Sequence, residues 1–263
     1  MRGVLDGIGL PANGAYWRRV LRPLVEESGI GAVKQVAALA GRLALEVRDS
    51  MATGHLPVVF GGDHSSAIGT WSGARASLPA GARLGLVWVD AHMDSHTFRT
   101  SPSRALHGMP LACLLGRGPS TLVDVAGPGP TLSPEDVCLI GVRSFEQGEA
   151  RLLDRLGVRI FFMQEVRARG FAAVFHDAWQ IANHATAACG ISIDLDALDP
   201  EEEPGVGSPA TGGIHLAELL PALRGIGSSS RLCAIEIAEF NPHADRRDAT
   251  ARAIRELCEV VLA

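Results

Sequence analysis

Four short apolar segments in this chain each stop abruptly at acidic or imidazole side chains. Pro57-Val-Val-Phe60 runs into Gly61-Gly62-Asp63-His64-Ser65, and Leu84-Gly-Leu-Val-Trp-Val89 runs into Asp90-Ala91-His92-Met93-Asp94. Ile191-Ser-Ile193 leads directly into Asp194-Leu195-Asp196, and residues 232–237 lead into Glu239 and Asn241-Pro242. Apolar runs of this length, rich in Val, Ile and Leu, read as strands covered on both faces, the pattern of a parallel sheet. In open α/β sheets, ligands bind just beyond the carboxyl ends of the strands. The chain is therefore constrained toward a fold that gathers four polar strand ends around one crevice.

The segments between these strands read as crossover helices. Helices are expected over residues 31–52, 66–75, 148–156, 171–188, 215–224 and 249–260, with another near 108–116 inside a loop-rich stretch. Further strands are expected over 137–142 and 158–162. Such alternation predicts an α/β fold, a three-layer α/β/α arrangement around a mostly parallel sheet. With 263 residues, no internal repeat and no linker, residues 1–263 read as a single domain. Hydrophobic residues at 47% support a large core, while 5% aromatics do not furnish a stacking platform for single-stranded nucleic acid. The net charge of −5, without any basic block, argues against a phosphate-backbone partner. No apolar run reaches the roughly 18 residues of a membrane span, and residues 1–11 lack a signal-peptide layout. The five cysteines, Cys113, Cys138, Cys189, Cys233 and Cys258, form no CxxC pair and read as buried reduced thiols of a cytoplasmic protein.

Spacing sharpens the polar ends into a site. In extended chain, side chains at i, i+2 and i+4 face one way, so Asp90, His92 and Asp94 should converge, as should Asp194 and Asp196. A lone DxH or DxD pair is ordinarily a surface turn, and GGDH alone could be a tight turn with a helix cap. Their recurrence at successive strand ends argues for a common purpose. With His64, the set comprises four carboxylates and two imidazoles, which would repel strongly without cations. Two divalent ions sharing bridging carboxylates would balance that charge. An oxygen-rich, thiolate-free set suits Mn²⁺ better than structural Zn²⁺.

The segments Gly61-Gly-Asp-His-Ser65, Val89-Asp-Ala-His-Met-Asp94 and Ser192-Ile-Asp-Leu-Asp-Ala-Leu-Asp-Pro200 resemble, in order and separation, the signatures of arginases, agmatinases and related ureohydrolases. The resemblance spans roughly residues 33–263. It implies that His64, Asp90, Asp94 and Asp194 bind one Mn²⁺, and that His92, Asp90, Asp194 and Asp196 bind a second. Asp90 and Asp194 would bridge the two ions, and water activated there would attack a guanidinium carbon. The resemblance further implies that Asp94 and His107 handle protons and that Glu239 pairs with the guanidinium through a bidentate hydrogen bond.

The same resemblance bears on the substrate. Ser101 and Ser103 match hydroxyl positions that hold an α-carboxylate, and His96 stands where many arginases have asparagine. Glu146, in Arg143-Ser-Phe-Glu146-Gln-Gly-Glu149, matches an aspartate that binds the α-amino group, and Ser208 replaces a threonine near the guanidinium. These matches favour L-arginine, cleaved to L-ornithine and urea, over agmatine or another guanidino acid, with formiminoglutamase further off. Family members commonly form trimers or hexamers, so a homo-oligomer is expected. Residues 1–32 have no clear family counterpart and read as an atypical, truncated N-terminus. That departure leaves a metal-binding regulatory relative with weak catalysis as the alternative of a different class.

Overall fold

A computed structural model gives the fold of the protein over residues 2–10, 14–22 and 29–262. Among these, one sheet contains β1 (Val58–Phe60), β2 (Leu84–Val89), β3 (Val137–Val142), β4 (Arg159–Phe162), β5 (Ala188–Asp194) and β6 (Leu232–Ala238). The strands lie in the order β1-β6-β5-β2-β3-β4, and every neighbouring pair is parallel. The order reverses at the β5–β2 contact, the place where parallel sheets leave a crevice beyond their strand ends. The four central strands β6, β5, β2 and β3 are buried along their whole length, which explains their unbroken apolar sequences.

Alternate side chains of these strands serve two faces. Val87, Val89, Ile191, Ile193, Ile235 and Ile237 pack with α8 (Phe171–Asn183), α9 (Leu216–Leu223) and α10 (Ala249–Leu262). Leu86, Trp88 and Leu139 pack on the other face against Trp71 of α3 (Ser66–Ser77), Leu111 of α4 (Pro110–Leu114) and Leu153 of α6 (Gln147–Leu156). The result is the expected three-layer α/β/α fold. Close approach requires small residues at one point in particular. A Cβ on Gly190 of β5 would lie 1.9 Å from a ring carbon of Trp71.

Outside this second face, α2 (Val33–Ala52) crosses α3, where Ala40 and Ala44 meet Gly69 and Gly73. The expected helix over 171–188 ends at Asn183, with β5 starting at Ala188. The Arg231 guanidinium donates to Asn183 O and Thr186 O, which stabilises a chain reversal where apolar periodicity alone suggested continuation. Three short helices have no counterpart in the sequence reading: α1 (Arg2–Gly7), α5 (Ser120–Val123) and α7 (Met163–Arg169). Of residues 1–32, residues 1, 11–13 and 23–28 lie outside the described residues, while Leu5 and Leu10 are buried in the core beside α10. All five cysteines are buried and free, as expected. Among the described residues no helix is long and apolar enough to cross a membrane.

Candidate metal centre

The four adjacent strands β1, β6, β5 and β2 deliver their polar ends to one place. After β1 the chain turns through Gly61 and Gly62 and enters α3, presenting His64 from the turn. Asp90 directly follows β2, Asp194 is the last residue of β5, and Glu239 directly follows β6. The His64 backbone N–H donates to Glu239 Oε1 at 2.8 Å, tying the β1 and β6 ends together. Neither Asp94 nor Asp196 continues a strand. Asp94 has a left-handed backbone, φ +46°, as does Glu239 at +64°, and Asp196 sits in a 3-10 turn over Leu195–Ala197. The expectation that extended chain would align Asp90, His92 and Asp94 is thus corrected: a turn, not pleating, brings Asp94 back toward Asp90. Backbone in this region is strained for residues with a Cβ and is found disproportionately at functional sites.

His64, Asp90, Asp94 and Asp194 form the first group, with one potential ligand atom from each lying within 4.8 Å of all the others. His64 Nδ1 stands 3.2 Å from Asp90 Oδ2, 3.2 Å from Asp94 Oδ2 and 3.0 Å from Asp194 Oδ2. Yet Nδ1 is buried and makes no hydrogen bond among the described residues. A nitrogen and three carboxylate oxygens facing one point at these separations suit a small divalent cation with bonds of about 2.1 Å. The residues present therefore fit a metal ion.

Asp90, His92 and Asp196 form the second group. His92 Nδ1 lies 3.0 Å from Asp196 Oδ2 and 3.6 Å from Asp90 Oδ1. Asp90 thus turns Oδ2 toward the first group and Oδ1 toward the second, the arrangement of a bridging carboxylate. Asp194 stands with the first group, and its Oδ1 accepts from the Asp196 N–H at 2.8 Å.

Charge in this cluster is strongly perturbed. Burial raises the carboxyl pKa values of Asp94, Asp194 and Asp196, and neighbouring carboxylates add to the effect. Burial would lower the His64 and His92 values, but the aspartates facing the two rings outweigh it. His64 ends well above its ordinary value and His92 is pushed up to about 12. Burial would also raise Asp90, but the two imidazoles flanking it hold its carboxyl below the usual range. The cluster seeks positive charge, supplied either by protons or by metal.

The remaining predicted residues form two sets, one about Glu239 and one about His96. In the first, His107 Nδ1 lies 4.0 Å from Glu239 Oε1, and Gly207, beside Ser208, approaches Glu239 Oε2 so closely that a Cβ there would sit 3.4 Å from it. Burial raises the Glu239 pKa, while the His64 N–H and His107 oppose that shift. In the second, His96 Nε2 lies 2.9 Å from Glu146 Oε2 and 3.3 Å from Glu149 Oε2. Ser101 Oγ accepts from the Arg104 N–H and Ser103 Oγ from the Ala105 N–H, so both hydroxyls also shape their loop.

Several supporting residues were not identified from sequence. Trp88 stacks on the His64 ring with centroids 4.1 Å apart, and its indole N–H donates to Asp90 Oδ2 at 2.8 Å. Ser192 Oγ lies 3.0 Å from His64 Nε2. Both precede a strand-end aspartate by two residues, the spacing that could have placed them on its face. Glu149 accepts from the Ser95 N–H while closing a capping box with Glu146 at the start of α6. The Arg143 guanidinium donates to six carbonyls, those of Gly141, Asp196, Ala197, Leu198, Ala210 and Thr211, and so clamps the turn that carries Asp196.

Comparison with known proteins matches this arrangement. The arginase family model matches residues 25–263. An arginase from Brevibacillus brevis is 41% identical over 211 residues, covering 80% of this chain and 70% of that protein. An arginase from Bacillus caldovelox is 39% identical over 225 residues, covering 86% and 74%. The native Bacillus caldovelox arginase structure superposes with a TM-score of 0.85 at 36% identity, over 93% of this chain and 82% of that one. An Entamoeba histolytica arginase in complex with L-ornithine gives a TM-score of 0.90 at 27% identity, over 99% and 90%. With a strand-end His/Asp cluster, a shared fold and this degree of identity, the chain belongs to the arginase family.

Proposed function

We propose that this chain hydrolyses the guanidinium of L-arginine to L-ornithine and urea at a dinuclear manganese centre. The reading rests above all on the two-lobed His/Asp cluster lying between a carboxylate suited to a guanidinium, Glu239, and a carboxylate pair suited to an ammonium, Glu146 and Glu149. His64, Asp90, Asp94 and Asp194 would hold one ion, and His92, Asp90, Asp194 and Asp196 the other. When bound, the ions supply a lowered pKa for water and charge stabilisation at the reacting carbon.

The chain's own side chains supply the rest. Glu239, anchored by the His64 N–H, accepts hydrogen bonds from the planar guanidinium and fixes its orientation. Asp94, on its left-handed turn, takes a proton from the attacking water. His107, half-exposed and close to Glu239, carries a proton toward the nitrogen that leaves as the ornithine side-chain amine. His96, Ser101, Ser103, Glu146 and Ser208 complete the substrate contacts, with the Ser101 and Ser103 hydroxyls facing the α-carboxylate and Ser208 near the guanidinium. The reading also includes a single ureohydrolase domain over residues 1–263, a cytoplasmic location and assembly as trimers or hexamers.

Urea release by the Mn²⁺-loaded chain, with L-arginine and agmatine as parallel substrates and a chelated control, tests the proposal. Urea from arginine, lost on chelation, is expected. Urea from agmatine alone would overturn the substrate assignment, and release unaffected by chelation would overturn the metal centre.

A further inference from the structure

Glu236 sits mid-strand in β6 with no solvent exposure. Its Oε1 accepts from Ser66 Oγ at 2.7 Å and Thr70 Oγ1 at 2.9 Å, and its Oε2 accepts from Ser192 Oγ at 2.9 Å. Among the described residues no Lys or Arg pairs with it, and the mechanism above makes no use of it. Burying a carboxylate without a cation is costly, and a strand interior is served equally well by an apolar residue. The surroundings are nonetheless built for it. A Cβ on Gly61 would lie 2.2 Å from Ser66 Oγ, so the glycine makes room for that donor.

The consequence lies one hydrogen bond away. An ionised carboxylate only accepts, whereas a serine hydroxyl has a single proton to give. With its proton directed to Glu236, Ser192 can only accept from its other neighbour, His64 Nε2, at 3.0 Å. A neutral His64 must then carry its single proton on Nε2, leaving the Nδ1 lone pair toward Asp90, Asp94 and Asp194. If Ser192 instead donated to His64 Nε2, a proton would occupy Nδ1, in the space where a cation belongs.

We infer that Glu236 is a positioning residue that acts through Ser192 to fix the His64 tautomer, keeping Nδ1 free for a metal ion. The inference rests on the metal-centre reading above. It assigns a purpose to a buried carboxylate that packing alone does not require. Glutamine at 236 would keep the shape but present an amide N–H₂, a donor that can turn Ser192 around. Groups hydrogen-bonded to a metal ligand, as Ser192 is to His64, typically alter metal affinity about 10- to 100-fold when changed, and Glu236 acts on the metal through that bond.

The test is a double-mutant cycle on Mn²⁺ affinity, measured by chelator competition, with the thermal midpoint of metal-free protein as a check of folding. Glu236→Gln and Ser192→Ala should each weaken Mn²⁺ binding about 10- to 100-fold. The double variant should be no weaker than Ser192→Ala alone, because both act along one path. Glu236→Asp, which retains an acceptor-only group, should recover much of the affinity. Additive losses, or wild-type affinity in Glu236→Gln, would overturn the assignment. Should Glu236→Gln fail to fold, Ser192→Ala alone decides, since native affinity there breaks the relay. A wild-type chain that binds no Mn²⁺ would instead overturn the metal-centre reading itself.

Discussion

His96 Nε2 lies 2.9 Å from Glu146 Oε2, so an imidazole of the protein already engages a carboxylate at the amino-acid end of the proposed substrate. An incoming α-ammonium must compete with it. Replacing His96 by the shorter Asn should lower KM for L-arginine by about threefold to tenfold, a modest share of a charge-assisted hydrogen bond. The guanidino acid lacking an α-amino group provides the control, because its KM should not move. Steady-state kinetics on both substrates checks this, and equal shifts for the two would show that His96 does not compete with the ammonium.

Among the described residues, His107 lies 4.0 Å from Glu239 and belongs to neither His/Asp group. His107→Ala should therefore slow turnover about 100-fold or more, within the range of general acid–base catalysis, while leaving metal content intact. Asp194→Ala should remove both activity and metal. Metal analysis alongside urea release separates the two, and loss of metal in His107→Ala would make that histidine a ligand.

Chelation should reveal a pH dependence. In the metal-free fold, five of the six cluster residues, Asp94, Asp194, Asp196, His64 and His92, have raised pKa values, and of the six Asp90 alone is lowered. Groups with raised values bind more protons folded than unfolded. Their stabilisation is present below the unfolded pKa and is lost as pH rises through the folded one. The thermal midpoint of chelated protein should thus fall between pH 5 and pH 8. Mn²⁺ should displace these protons on binding, so the gain from metal should grow over the same range. Calorimetry with and without metal gives both curves, and a chelated midpoint that climbs with pH would contradict the charge balance described above.

Arg143 serves six backbone carbonyls from a half-buried position. Arg143→Met strips donors from polar groups that water reaches poorly and should cost about 3 kcal/mol in urea unfolding. Lysine should restore little, since an ammonium cannot span carbonyls arranged around a planar fork. Near-native stability in either variant would mean that the loops do not depend on the clamp.

The sheet was legible because its central strands are buried on both faces and so carry unbroken apolar sequence; β2 and β3 have the boundaries their sequences suggest. The polar strand ends were legible for the same reason, as sharp breaks in those runs. What sequence concealed depends on through-space partners. Nothing local in Thr186 announces that Arg231 will take its carbonyl and end α8 early. Asp94 and Asp196 arrive by turns, so the alternation argument brought the right residues together by the wrong backbone path. Glu236 did carry a signal, a charge inside an apolar strand, but its meaning depends on Ser192, 44 residues earlier.

The left-handed backbone at Asp94 and Glu239 sets the centre against the thermal robustness of the chain. A residue with a Cβ in that conformation gives up about 1–2 kcal/mol, and glycine would recover it. Selection for heat resistance alone would favour glycine at both positions and would delete a carboxylate each time. A lineage that keeps Asp and Glu there accepts a softer fold in exchange for its chemistry. Stabilising libraries made from this chain should hold those two codons fixed.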